Sequence, residues 1–211
     1  MQNENSCDRI TRIARGTGGS SIDLQSGSSF FVPNELVDTI GLASDAVIDG
    51  DVAEQIAFAS RVLAATSKAI DLITRRDHSI VQMRTKLAAR GYNHAEINAV
   101  CEACRNRGYL DDHRFAVRWI ENRVRRRNEA IPRLLAGLSR AGVDRRVAAD
   151  AIRETVPSNY EDEAFSREIA RLEAREHLQA PRIARRLSAL GFSAGRIHAH
   201  LEKLDENDAA E

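Results

Sequence analysis

The chain has 211 residues, 43% of them apolar, and its 31 Lys and Arg side chains balance 31 Asp and Glu. That much apolar residue argues against wholesale disorder, and no apolar run approaches the roughly 20 residues of a membrane helix. Three Cys make a small, odd set that argues against a disulfide scaffold and suits a reducing cytoplasm. The polar start, Met1 to Asn5, has no apolar stretch behind it, so no signal peptide is expected.

Residues 1–50 differ from the rest. Arg9 to Ala14, Ser21 to Leu24 and Ser29 to Val32 are short β-prone stretches between Gly/Ser clusters, and Gln25-Ser26-Gly27-Ser28 reads as a hairpin turn. Gly16-Thr17-Gly18-Gly19-Ser20 is Gly-rich but lacks the Lys and following helix of a phosphate loop, so it reads as a loop. Pro33-Asn34 opens a short helix that Gly41 ends. The whole is a small β-element with one helix, too small for a large core of its own.

From Asp51 onward the pattern is helical. Asp51-x-x-Glu54, Ser79-x-x-Gln82, Asn93-x-x-Glu96 and Ser158-x-x-Glu161 each place Glu or Gln three residues after a capping side chain. Asp111, Asp144 and Ser193 are further caps, and Pro132 and Pro181 suit first helical turns. The predicted helices are 52–75, 79–90, 94–107, 112–127, 131–141, 145–155, 159–179, 181–190 and 194–204. They fall into three groups of three.

An internal repeat supports that grouping. Leu87-x-x-x-Gly91-Tyr92-Asn93, Leu138-x-x-x-Gly142-Val143-Asp144 and Leu187-x-x-x-Gly191-Phe192-Ser193 share one pattern, with Met83, Leu134 and Ile183 four residues before each Leu. The Leu closes one helix on its buried side, the Gly takes a left-handed turn, and the cap starts the next helix. The expected organisation is therefore mainly all-α, with three tandem three-helix modules in an elongated array and a small N-terminal β-element. Its parts are 1–50 (β-element and short helix), 51–108, 109–156 and 157–205 (the modules), and an acidic tail at 206–211. Each module has its own apolar helix faces, so a cut after Val156 is expected to leave a folded remainder.

Charge is divided along the chain. Residues 61–156 hold 20 basic and 11 acidic side chains, whereas residues 1–60 hold 3 and 9. Only Lys68, Lys86 and Lys203 are Lys, so Arg, which binds carboxylate and phosphate as a fork, carries nearly all the positive charge. In the helix from Asp112, Phe115 and Trp119 and the row Ala116, Ile120, Val124 form an apolar face. Arg114, Arg118 and Arg125 lie on another face, and Arg123, Arg125, Arg126 and Arg127 crowd the helix end. Positive charge complements the dipole there, but four Arg in five residues exceed what capping needs and suggest a binding patch. Arg75, Arg76, Arg84, Lys86 and Arg90 are candidates to extend it. The alternative reading is a solvated helix face.

No catalytic constellation emerges. Cys101-x-x-Cys104 lies inside a helix with no second ligand pair nearby, which predicts two small buried thiols rather than a zinc or redox pair. The six His are scattered and read as single side chains on solvated faces. No cofactor or metal is expected.

The repeat and one motif together resemble the RecX family, over roughly residues 60–204. Leu110-Asp111-Asp112-His113-Arg114-Phe115-Ala116 is similar to the family's Leu-Asp-Asp-x-Arg-Phe-Ala signature. The stretch Ser79 to Tyr92 resembles its first module, and Arg185-Arg186-Leu187 through Ser193 its third. Some members also carry a β-element at the front. The resemblance implies a non-enzymatic, cytoplasmic regulator of DNA repair, recombination and the SOS response. Its partner would be the RecA filament groove, with weak non-specific DNA contact and no membrane association. A helical nucleic-acid-binding protein acting without RecA is the alternative, and an enzyme using the Cys101/Cys104 pair a third.

Overall fold

A computed structural model describes residues 7–174 and 179–208, the last five by backbone alone. The chain divides into two compact units, one of residues up to 78 together with 83–110, the other of 79–82 together with residues from 111 onward.

The first unit opens with four antiparallel strands: β1 (Asp8–Gly16), β2 (Gly19–Leu24), β3 (Ser29–Val32) and β4 (Val47–Ile48), in the order β3-β2-β1-β4. Thr17-Gly18 is the two-residue turn of the β1–β2 hairpin, so the Gly-rich loop is a tight hairpin end. Gly19 has φ +147°, and a Cβ there would lie 2.5 Å from the Val32 carbonyl oxygen. Alternation along β2 sends Ile22 and Leu24 to one face, where they join Ile10, Val32, Val37 of α1 (Asn34–Ile40) and Ile48. The cluster is completed by Ile56 of α2 (Gly50–Arg75), so the β-element borrows a helix to close its core. Periodicity missed β4, a two-residue strand with too few positions to alternate.

In the same unit, α2 packs on α4 (His94–Asn106), and α3 (Ile80–Ala88) contributes the fully buried Met83 and Leu87. Asn93 and Glu96 form the predicted capping box. The α2 cap, however, is Asp49, whose side chain accepts from Val52 N–H at 2.9 Å; the helix starts one residue before Asp51. His78 is 4% exposed, contrary to a solvated reading, and burial lowers its pKa from the ordinary histidine value.

The second unit contains α5 (Asp112–Arg126), α6 (Ile131–Arg140), α7 (Arg145–Thr155), α8 (Tyr160–Glu173), α9 (Ala180–Ala189) and α10 (Ala194–Asp208). One continuous core runs from Phe115 to Ile197, with Leu134, Leu138 and Leu187 fully buried. A cut after Val156 would open this shared core rather than separate two independent ones. Helix α8 is preceded by Asn159, with no side-chain cap from Ser158, and ends at Glu173; residues 175–178 of the predicted 159–179 helix lie outside the described residues. Helix α10 continues through part of the predicted tail, whose residues 209–211 also lie outside.

The three repeat turns are the same structure. Gly91, Gly142 and Gly191 have φ of +81°, +80° and +91°. Behind each, the next amide donates to the repeat Leu carbonyl: Tyr92 to Leu87, Val143 to Leu138, Phe192 to Leu187, at 3.4, 3.1 and 3.3 Å. Each Gly amide reaches the carbonyl three residues back at 2.9 Å. This Gly-closed cap satisfies carbonyls that the helix end would otherwise strand.

Within the second unit these turns also receive other residues. Ser79 Oγ donates to the Ala141 carbonyl, and Ala130 N–H donates to the Leu190 carbonyl at 2.9 Å. Ser79 and Ala130 each stand eight residues before their own repeat Leu, and Ala141 and Leu190 each three after theirs. The two junctions share their register, one made by a side-chain hydroxyl and the other by a backbone amide.

Candidate anion-binding groove

Helix α5 is fixed at its start by Asp111, whose carboxylate accepts from His113 and Arg114 N–H at 2.8 and 3.0 Å. Asp112 is more than a first-turn acid: its side chain accepts from Ile80 N–H at 2.8 Å. Phe115, Ala116 and Ile120 seat the helix in the core. Trp119 lies half-buried against α6, where a Cβ on Gly137 would come within 2.3 Å of its ring.

The end of α5 then meets a buried carboxylate. Arg123 stacks 4.5 Å above the Trp119 ring and donates through Nη1 to Glu129 Oε1 at 2.7 Å. Arg127 Nη1 lies 3.8 Å from the same oxygen. Tyr160 Oη donates to the Glu129 carbonyl at 3.0 Å and fixes the linker backbone. A second buried carboxylate, Glu168 of α8, accepts from Asn128 Nδ2 at 3.0 Å and Arg186 Nε at 2.9 Å, with Arg171 Nη1 at 3.6 Å. Burial alone would raise the Glu168 pKa; the hydrogen bonds from Asn128 and Arg186 and the nearby positive charge outweigh it and hold the carboxyl below its ordinary value.

Three cavities adjoin over these carboxylates. The first, about 390 Å³, is lined by Trp119, Gly137, Glu129 and Arg123, Arg127, Arg133 and Arg140. The second, about 360 Å³, shares Arg127, Glu129 and Arg133 with it and adds Arg126, Arg171 and Arg186. The third, about 410 Å³, shares Arg171 and Arg186 and adds Arg182, Arg185 and Glu168. Together they make one groove with nine Arg side chains against two carboxylates. Such a surface attracts anions, and the guanidinium forks suit phosphate or carboxylate oxygens.

The predicted residues divide on this geometry. Arg123, Arg126 and Arg127 line the groove, with Arg123 also holding structure together. Arg125 lines a separate depression with Val117, Glu121 and Glu154. Arg114 and Arg118 lie on α5 outside the groove linings. In the first unit, Arg75 closes α2 and Arg76 caps it. Arg84 bonds to Asn98, and Arg90 folds back onto the Lys86 carbonyl at 2.7 Å.

Sequence reasoning missed Arg133, Arg140, Arg171, Arg182, Arg185 and Arg186. The signal was in the repeat. Gln82, Arg133 and Arg182 each stand five residues before their repeat Leu, and each lines a cavity of this groove. The cysteines fall as predicted: Cys101 and Cys104 are 1% exposed, and burial pushes both thiols up from the ordinary cysteine value. Among the described residues no His, Cys, Asp and Glu group could hold a metal ion, and no helix is long and apolar enough to cross a membrane.

A mainly helical chain with repeated Gly-closed three-helix modules and a small leading sheet defines the class. Residues 65–104 match the family model for the first three-helix domain of RecX. The regulatory protein RecX of Halorhodospira halophila is 30% identical over 69% of this chain and 91% of its own length. That of Vibrio parahaemolyticus is 39% identical over 29% of this chain and 40% of its own length. A crystal structure of regulatory protein RecX superposes with TM-score 0.72 at 18% identity, covering 93% of this chain and 99% of the other. RecX from Lactobacillus salivarius gives 0.59 at 17% identity, over 70% and 98%. The chain belongs to the RecX family of regulatory proteins.

Proposed function

We propose that the chain is a non-enzymatic, cytoplasmic regulator that binds RecA–DNA filaments, limits their growth or promotes their disassembly, and so lowers recombinase, ATPase and co-protease activity in repair and the SOS response. Family membership supports a regulatory role. The observation that carries the reading is the nine-Arg groove of the second unit, since a filament of protein and DNA offers repeated acidic and phosphate groups along its length. In this reading Arg126, Arg127 and Arg133 make the main contact. Arg123 holds the groove wall, and Arg114, Arg118 and Arg125, with Arg75, Arg76, Arg84, Lys86 and Arg90 of the first unit, add weaker, screened attraction. Within the second unit, the adjoining cavities offer a series of such contacts.

The test is RecA ATPase on single-stranded DNA with and without the protein, at two salt concentrations. A concentration-dependent fall in ATPase is expected. No effect on RecA, combined with tight, sequence-specific duplex binding at physiological salt, would instead establish a DNA regulator that acts without RecA.

A further inference from the structure

We infer that the middle cavity of the groove is a site for a short run of linked phosphates, such as the oligophosphate of a nucleoside triphosphate or of inorganic polyphosphate. The inference rests on reading the groove as an anion-binding face, and it names a small ligand of that face. Five guanidiniums, those of Arg126, Arg127, Arg133, Arg171 and Arg186, line one space of about 360 Å³. They come from four helices: the α5 end, α6, α8 and α9. Guanidiniums approaching from several sides suit an anion with oxygens on all sides better than a planar carboxylate.

The positive charge is only partly spent inside the protein. Glu129 is already bound by Arg123 from outside the cavity, and Glu168 by Arg186, Arg171 and Asn128. Among the described residues, Arg126 and Arg133 have no carboxylate partner. Counting Arg123, six guanidiniums stand against two carboxylates. A chain of linked phosphates carries about one negative charge per inner group and up to about two per terminal group, so two or three linked groups match the surplus of about four. The pairs with Glu168 also hold Arg171 and Arg186 in place before any ligand arrives, which lowers the entropy lost on binding. Asn128, the Arg-paired Glu129, Ala189 and Leu190 complete the lining, and the partly enclosed space strengthens each charge contact relative to open water.

The experiment is isothermal titration of the full-length protein with sodium tripolyphosphate, pyrophosphate and orthophosphate, without divalent cations, and separately with ATP. Saturable one-to-one binding of tripolyphosphate is expected, with orthophosphate at least about tenfold weaker. The double variant Arg126→Gln/Arg133→Gln should weaken tripolyphosphate by about tenfold or more with an unchanged melting temperature, because neither side chain has a carboxylate to lose. The exposed pair member Arg153 serves as control, and Arg153→Gln should bind as the parent does. ATP binding much tighter than tripolyphosphate identifies a nucleotide as the source; equal or weaker binding identifies the bare phosphate chain. Tripolyphosphate binding no tighter than orthophosphate, or unchanged in the double variant, overturns the inference. RecA ATPase inhibition by the same variant is measured in parallel. If inhibition is lost while tripolyphosphate binding stays unchanged, the oligophosphate site falls and the filament reading stands; the reverse pattern removes the filament reading and keeps the site.

Discussion

Both units bury a glutamate against arginine, and they use the device differently. In the first unit Glu96 is 1% exposed and meets Arg61, whose second nitrogen donates to the Gly91 carbonyl at 2.9 Å and whose guanidinium sits over Tyr92. The pair closes on itself and ties α2 to the α3–α4 turn. In the second unit Glu129 and Glu168 together gather Arg123, Arg127, Arg171 and Arg186, and further Arg side chains crowd the same space. One carboxylate with one arginine is a brace. Two carboxylates under nine arginines leave charge over, and that surplus makes a surface that can bind.

The strongest way to break the comparison is to remove the core under the groove. Leu138→Asp places an unpaired carboxylate at a fully buried position, a cost of several kcal/mol against a whole-domain stability of roughly 5–15 kcal/mol. Loss of the cooperative melt by circular dichroism is expected; a soluble variant that melts like the parent would overturn the core assignment.

Charge reversal in the groove comes next. Arg126→Glu/Arg127→Glu/Arg133→Glu should abolish the effect on RecA ATPase while far-UV circular dichroism keeps near-parent helix content, since Arg123 still anchors Trp119 and Glu129. Arg125→Glu, which changes a separate depression, should cost far less inhibition. Equal losses from the two would deny the groove its special status.

A smaller effect separates the turns of the two units. Gly91 and Gly142 share a positive φ, so alanine strains both by about 1 kcal/mol. At Gly91 the added methyl meets open space; at Gly142 it would lie 2.4 Å from Val81 Cβ. Gly142→Ala should therefore cost a further 1–3 kcal/mol or so in urea unfolding. Similar midpoints for the two variants would mean that the Val81 contact is not tight.

Acid gives the smallest and most graded test. Hydrogen bonding from Arg61 lowers the Glu96 pKa despite burial, and the Glu168 pKa is lowered as well. A lowered folded-state pKa means that the unfolded chain takes up the proton first. The stabilisation from each carboxylate is thus complete above its ordinary value near 4.5 and is lost as pH falls through the lower folded value. Urea midpoints should drop from about pH 5 to pH 3, and Glu168→Gln should flatten that slope. An unchanged slope would remove Glu168 from the acid response.

Much of this fold was legible because its signals are local and repeated. Leu87, Leu138 and Leu187 stand at the predicted buried ends, and their Gly turns take the predicted hand. The α2 cap was misplaced because Asp49 and Asp51 are both capping residues near the same start, and only backbone geometry separates them. His78 escaped because its burial comes from tertiary packing that no short pattern encodes. The groove was half visible. The Arg run at the end of α5 is contiguous, whereas Arg133, Arg171, Arg182 and Arg186 lie on three other helices and converge only when those helices pack. Arg125 belongs to the run in sequence but points to another depression, because neighbours along a helix are turned about a quarter circle apart.

The position five residues before each repeat Leu lines the groove three times: Gln82 and Arg133 face the same first cavity, Arg133 reaches into the second, and Arg182 lines the third. Part of the groove lining therefore follows the sequence repeat. Its rungs recur at steps of 51 residues from Gln82 to Arg133 and 49 from Arg133 to Arg182. Exchanging the residue at one rung would retune a single step of that lining while its neighbours kept their chemistry.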